Sequence, residues 1–233
     1  MDSVHEHIRG TAPVARRASV RRPGTICAFH CLFRTSMSDF ECGGLHLAAY
    51  EGELHVFLDE EREEQAGQAR LFVLNAEGAE RDGESLFNLL DMRAETAAFI
   101  PLLGEEDTQL APEVCEILDE KVSANRNMLL LDRLEIEPAF RGQQLGLKYA
   151  AAAIRRFGLG CRLAAARPLP SPQAGRPGSR QRAARAVLRR YFARAGFVPL
   201  PGSDLMILDL LKKPRPQPWE AAPVLSACGS PRC

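Results

Sequence analysis

The stretch Met128 to Ile136, Met-Leu-Leu-Leu-Asp-Arg-Leu-Glu-Ile, constrains this chain most, together with the glycine-bearing turn after it. Its apolar first half and alternating second half read as a strand buried on both faces where it begins and on one where it ends. Pro138 stops it, because proline has no N–H to give the ladder. A turn, Glu137 to Phe140, leads into Arg141-Gly142-Gln143-Gln144-Leu145-Gly146, and a helix opens there. Leu147, Ala150, Ala151, Ile154 and Phe157 fall on one helical face, Lys148 and Arg155 lie apart from it, and Gly158 with Gly160 supplies the stop. A helix start presents unpaired N–H groups and about half a positive charge, glycines let a ligand approach the backbone, and Arg141 adds a fixed cation. The arrangement suits a diphosphate. An ordinary tight strand-to-helix turn is the other reading of the same hexapeptide.

Around this unit the chain reads as further strands and helices. Leu45 to Tyr50 and Glu53 to Asp59 are β-rich runs separated by Glu51-Gly52, which predicts a hairpin, and Ala69 to Asn75 is a third strand after a charged loop. Between Glu84 and Glu120 the apolar residues recur at helical spacing, and Pro101 and Pro112 cut the stretch into short helices. Cys161 to Ala166 is a strand, Pro168 to Ser179 a Pro/Gly/Ser-rich loop, and Arg180 to Ala195 a helix that Gly196 ends. Phe197 to Leu200 and Leu205 to Leu211 are closing strands around the turn pair Pro201-Gly202.

Composition narrows the class. At 233 residues, 45% hydrophobic and 26% charged, the chain suits one core: a domain over 35–213, a flexible basic arm over 1–34 and a Pro-rich tail over 214–233 without a core. Lys+Arg and Asp+Glu balance at 30 each, but the arm and the helix from Arg180 are basic while Asp39 to Glu120 is acidic. No apolar run is long enough to span a membrane and no secretion signal opens the chain; with seven cysteines in unpaired spacing, a soluble cytoplasmic protein is expected. Cys27, His30, Cys31 and Cys42 bring together four nitrogen and sulfur donors, but their spacing matches no common finger, so no metal is expected. His46 and His55 read as core or rim residues. The arginine-rich helix, with Arg182, Arg185 and Arg189 on one stripe, reads as a solvated basic face opposite the acids at 60–64. It lacks the aromatic interleaving or helix-turn-helix pattern of a nucleic-acid binder, and nucleic acid is not an expected partner.

Strand, Arg-x-x-x-x-Gly turn, apolar helix, strand, basic helix ending in Ala195-Gly196-Phe197, then hairpin: from about Leu129 to Leu210 this order resembles the GNAT N-acetyltransferase superfamily. The stretch Leu131 to Glu135, the pair Arg167-Pro168 and the run Gly202-Ser203-Asp204-Leu205-Met206 resemble a bacterial-type branch of it. The resemblance implies an α/β (α+β) acyl-CoA N-acyltransferase fold: a mixed, mostly antiparallel sheet with a central parallel splayed pair, flanked by helices. It implies acetyl-CoA as co-substrate, with its diphosphate on Arg141, Gly142, Gln143, Gln144, Leu145 and Gly146. The pantetheine arm would then run along Leu134, Glu135 and Ile136 in the manner of an added strand. The implied reaction is transfer of an acetyl group to an amine, on a small molecule or a peptide, by direct attack. The acidic helices between Glu84 and Glu120 suggest a cationic acceptor; oligomeric state is not readable.

Two positions depart from the family pattern. Its turn is Arg/Gln-x-x-Gly-x-Gly/Ala, and Gln144 stands at the first glycine, which costs little if φ is helical and of order 1 kcal/mol if φ is positive. Many members place a tyrosine five residues before the Phe of the Gly-Phe pair, where its hydroxyl protonates the departing thiolate. That position is Phe192 here, and the adjacent Tyr191 points about 100° away on an ideal helix. The general acid is Tyr191 or a water. Asp132, Glu135 and Glu137 are candidate bases by proximity, and Glu135 is preferred; strict alternation would put Asp132 on the face of Leu134 and Ile136. A non-catalytic acyl-CoA-binding homologue is the alternative function.

Overall fold

The computed structural model describes residues 26–35, 44–58, 62–106, 109–119, 125–170 and 179–212. They form a mixed α/β structure: one seven-stranded mixed sheet and six α-helices. The strands are β1 (Ala28–Arg34), β2 (Leu47–Phe57), β3 (Glu63–Leu74), β4 (Met128–Ile136), β5 (Leu163–Ala166), β6 (Val198–Pro199) and β7 (Met206–Asp209). The helices are α1 (Ala76–Arg81), α2 (Leu86–Asp91), α3 (Ala94–Ala97), α4 (Pro112–Leu118), α5 (Leu145–Phe157) and α6 (Ser179–Arg194). Spatial order is β1-β2-β3-β4-β5-β7-β6; β4 and β5 run parallel and every other neighbouring pair antiparallel.

Each face of the sheet carries its own core. Leu47, Phe72, Leu74, Met128, Leu130, Leu163 and Ile207 pack beneath α1 to α4 with Leu89, Leu90, Phe99, Val114 and Leu118. On the opposite face Leu71, Leu129, Leu131, Ala164 and Ala166 meet Leu147 and Ala153 of α5, Phe192 of α6 and Ala195 just past its end. The central strands are buried on both sides, as the apolar start of β4 requires. Leu145 and Tyr149, outside the helical stripe read from the sequence, extend the buried face of α5 over Leu54, Val56 and Phe140.

Three sequence expectations change. The hairpin at Glu51-Gly52 is absent: β2 runs unbroken through both residues, pairing them with Arg34 and Phe33 on one side and Arg70 and Ala69 on the other. Gly52 marks a close approach rather than a turn, since a Cβ there would lie 2.3 Å from the Tyr149 hydroxyl and 2.9 Å from the Phe33 ring. The charged stretch before Ala69 belongs to β3, whose Glu63 to Gln65 pair with His55 to Phe57. The boundary set at residue 34 falls too late, because Ala28–Arg34 is a sheet strand along β2. Residues 1–25 of the basic arm, the Pro-rich tail and Cys42 lie outside the described residues.

One buried ion pair joins the sheet to α4. Arg162 donates to both carboxylate oxygens of Asp209 and, from Nη2, to the Leu118 carbonyl at 3.1 Å. Burial pushes the Asp209 carboxyl up, but the hydrogen bonds from Arg162 and from the Leu211 and Lys212 amides outweigh it and leave it below its usual value. A depressed carboxyl stabilises the fold above its unfolded value and loses that contribution as pH falls through the folded one. Arg162→Met therefore costs about 3–5 kcal/mol in denaturant unfolding at pH 7, because it leaves Asp209 buried and unpaired. The difference from wild type shrinks as the pH falls, beginning above about 4, because an unpaired buried carboxyl takes up its proton before that of the unfolded chain does.

Candidate functional site

The ladder between β4 and β5 is short. Met128 to Leu131 pair with Leu163 to Ala166, the Arg167 amide donates to the Leu131 carbonyl at 3.2 Å, and pairing ends there. β4 continues to Ile136 with β3 as its neighbour, so one edge of Asp132–Ile136 is open. A slot occupies the gap. Leu131 to Glu135 line it from β4 and Arg167 to Pro170 from the segment leaving β5, with Leu188 and Phe192 of α6 and Arg70 of β3 completing the lining.

A bulge reorganises β4 at the mouth of this slot. Arg70 pairs with Arg133 while Leu71 pairs with Leu131, which leaves Asp132 as the extra residue. The alternation expected from the sequence breaks here. Asp132 faces the α3 side of the sheet, on which Arg70 bonds to it, and Glu135 lies on that side as well, accepting from Gln68 Nε2 at 3.4 Å. Leu134 and Ile136 instead turn toward α5, packing with Leu145 and Tyr149.

Asp132 is nearly inaccessible and holds two arginines. Arg70 Nε and Nη2 reach its Oδ2 at 3.0 and 2.9 Å, Arg167 Nη2 lies 3.5 Å from its Oδ1, and Arg70 Nη1 also meets Glu95 at 2.8 Å. The carboxylate thus ties β3 and β4 to the segment that leaves β5. Nothing in the sequence pattern singled out Arg70, which the antiparallel register alone brings opposite the bulge.

Past Ile136 the chain makes a single 3-10 turn, Pro138–Phe140, and enters α5. Arg141 to Gln144 are exposed, with Gly142 at φ +87° and Gln144 at φ 59°. Arg141 Nε donates to the Ile136 carbonyl at 2.8 Å, so the guanidinium sits where the strand becomes the turn. Gln144 is the N-cap of α5 and its side chain makes no capping bond, which leaves the first amides of the helix without a side-chain cap from that residue. The positive φ confirms the strained alternative for Gln144, a conformation glycine would adopt freely.

Tyr191 adds a second acceptor at the helix start, where the Leu147 amide also donates to the Gln144 carbonyl at 3.1 Å. Its hydroxyl accepts from the Leu147 amide at 2.9 Å, and a Cβ on Gly146 would lie 2.9 Å from that oxygen. Gly146 is therefore required by the tyrosine above it. Burial pushes the Tyr191 phenol up, partly offset by the Leu147 and Gly146 amides and by Arg194. The buried Phe192 ring packs edge-on against Phe197, 5.4 Å away, and faces the slot. Of the residues expected at a site, Leu134 and Glu135 line the slot, Ile136 and Arg141 to Gly146 continue from it, and Tyr191 stands over the helix start. Of the arginines of α6, Arg185 and Arg189 turn to Asp204: Arg185 Nη1 lies 2.6 Å from it and Arg189 Nη2 3.7 Å.

No family model matches the chain, and no curated protein matches it. Among solved structures, the apo form of a mutant agmatine N-acetyltransferase matches at 13% identity over 69% of this chain and 74% of that one, with a TM-score of 0.38. The likeness is too distant to assign a fold or a substrate. No helix among the described residues is long and apolar enough to cross a membrane.

The helix start yields a pair of opposed stability changes. Gln144→Gly relieves the left-handed strain and raises stability by up to about 1 kcal/mol, whereas Tyr191→Phe removes one of the two acceptors of the Leu147 amide, the Gln144 carbonyl remaining, and lowers it by up to about 1 kcal/mol. Urea unfolding of the two variants checks both signs.

Proposed function

We propose that the chain binds acetyl-CoA in the slot and transfers the acetyl group to an amine, in the manner of GNAT N-acetyltransferases. The observation that carries this reading is the open edge of β4 running directly into the uncovered turn Arg141–Gln144 and the start of α5. An extended amide-containing arm pairs with such an edge as an added strand, and a diphosphate suits exposed helix N–H groups next to a guanidinium. Leu134 to Ile136 take the pantetheine arm and Arg141 to Gly146 the diphosphate.

The reaction needs few side chains. The free amine attacks the thioester carbonyl, the C–S bond breaks, and the thiolate leaves as the thiol after taking a proton; the attacking nitrogen loses one. Glu135, on the slot wall, receives the amine proton directly or through a water. Tyr191 is the proton donor we assign. Burial keeps its phenol protonated and its oxygen accepts from the Leu147 amide, so its own O–H remains to be given, through a water, to sulfur. The acceptor in this reading is a small-molecule or peptide amine.

A second reading, a binder of acyl-CoA that does not turn it over, is favoured by two observations. Phe192, not a hydroxyl, faces the slot, and a strained glutamine stands in the turn.

Calorimetry with coenzyme A and a thiol-release assay over a panel of amines separate the two. The proposal expects binding that Arg141→Ala weakens at least about tenfold, thiol release with at least one amine, and turnover reduced about 100-fold or more in Tyr191→Phe. Undiminished turnover in Tyr191→Phe removes that residue from the chemistry. Binding without release on any amine gives the second reading, and absence of binding overturns both.

A further inference from the structure

A cluster outside the slot lies on the first three strands. His30 of β1 and His55 of β2 are cross-strand partners, and Glu63 of β3 pairs with Phe57, two residues beyond His55 on the same face. A bulge between Leu54 and His55 shifts the register of β3 here. The imidazole rings stack, 5.2 Å apart and 2° from parallel. One carboxylate oxygen, Glu63 Oε1, lies 2.8 Å from His55 Nδ1 and 3.5 Å from His30 Nε2. All three residues are partly accessible, and none lines the slot.

The hydrogen bonding of His55 is what needs explaining. Its Nε2 lies 3.1 Å from Glu53 Oε2, so both ring nitrogens face carboxylate oxygens. A carboxylate only accepts, so in the tautomer that satisfies Glu53 the proton is on Nε2. A neutral imidazole has one N–H. Nδ1 then presents a lone pair to Glu63 at 2.8 Å, acceptor against acceptor, unless a cation stands between them.

We propose that His30 Nε2, His55 Nδ1 and the Glu63 carboxylate bind a divalent transition-metal ion, zinc foremost, with water in the remaining position. These donor atoms all lie within 4.8 Å of one another. Ligands at about 2.1 Å around a tetrahedral ion stand about 3.4 Å apart, so modest side-chain movement closes the site. Two imidazoles and a carboxylate select a borderline metal over calcium or magnesium, which take oxygen ligands. Glu53 holds His55 by the nitrogen opposite the metal, the outer-shell contact that metal-binding histidines commonly make. Across β2, the ion would clip the outermost strand β1 to β3. The residues differ from the Cys27, His30, Cys31 and Cys42 grouping considered on sequence: Cys31 packs on the opposite, α5-facing side, and His30 finds its partners on neighbouring strands.

Zinc is titrated calorimetrically into the full chain after removal of metal by chelator, with calcium and magnesium as controls. The proposal expects one equivalent of zinc bound, affinity reduced at least tenfold in His55→Ala and in His30→Gln, and a loss of about 10–100-fold in Glu53→Gln. Calcium and magnesium give no binding. Imidazole nitrogen resonances of the unmodified chain give the same answer without variants: those of His30 and His55 move on zinc addition. Absence of zinc binding overturns the proposal, as does binding that both histidine variants retain, which would place the ion on cysteines. So does an His55 ring doubly protonated at neutral pH and unmoved by zinc, because the cation between the carboxylates is then a proton.

Discussion

Strand β4 has a neighbour on both edges only as far as Leu131, and the rest of the structure around the slot depends on what happens there. A parallel ladder four residues long ends while β4 runs on, and the lost hydrogen bonds are replaced by an ionic crossing. Asp132, pushed out of register by the bulge, meets Arg70 from β3 and Arg167 from the segment leaving β5. A buried carboxylate is costly unless paired, and with two guanidiniums against it the three segments are held in one arrangement. The strands part at a fixed place because of it.

That parting leads to a second constraint at the start of α5. Helix N-termini carry amides that something must satisfy, and here the Tyr191 hydroxyl meets Leu147 while the turn before it stays exposed. Gly146 exists to admit the tyrosine, and Gln144 bears a backbone conformation that a glycine would take without strain. In our proposal the phenol sits over the helix start and the phenylalanine over the slot. This reverses the placement that the family resemblance implies for a hydroxyl, and it makes the identity of the proton donor the sharpest question in the reaction.

Local pattern carried much of this into the sequence. β4 is legible to the residue because its apolar run and Pro138 bound it, and α5 because its apolar stripe and Gly158 do. Gly52 misled, since a glycine after a polar residue suggests a turn, whereas here it makes room for Tyr149 from a helix almost a hundred positions later. The face of Asp132 was misread because a bulge inverts alternation, and only pairing with β3 reveals it. Arg70, and the meeting of His30 with His55 and Glu63, are products of register between strands far apart in sequence. No periodicity within a single segment encodes such contacts.

In our proposal the open edge of β4 and the exposed turn after it form one continuous seat for coenzyme A. Backbone amide chemical shifts of the labelled chain, followed during titration with coenzyme A, test it most directly. Saturable shifts are expected along Leu134–Ile136 and through Gly142 to Gly146, with the amides of β1 and β2 unmoved. Shifts confined to other parts of the sheet, or none at all, would contradict it.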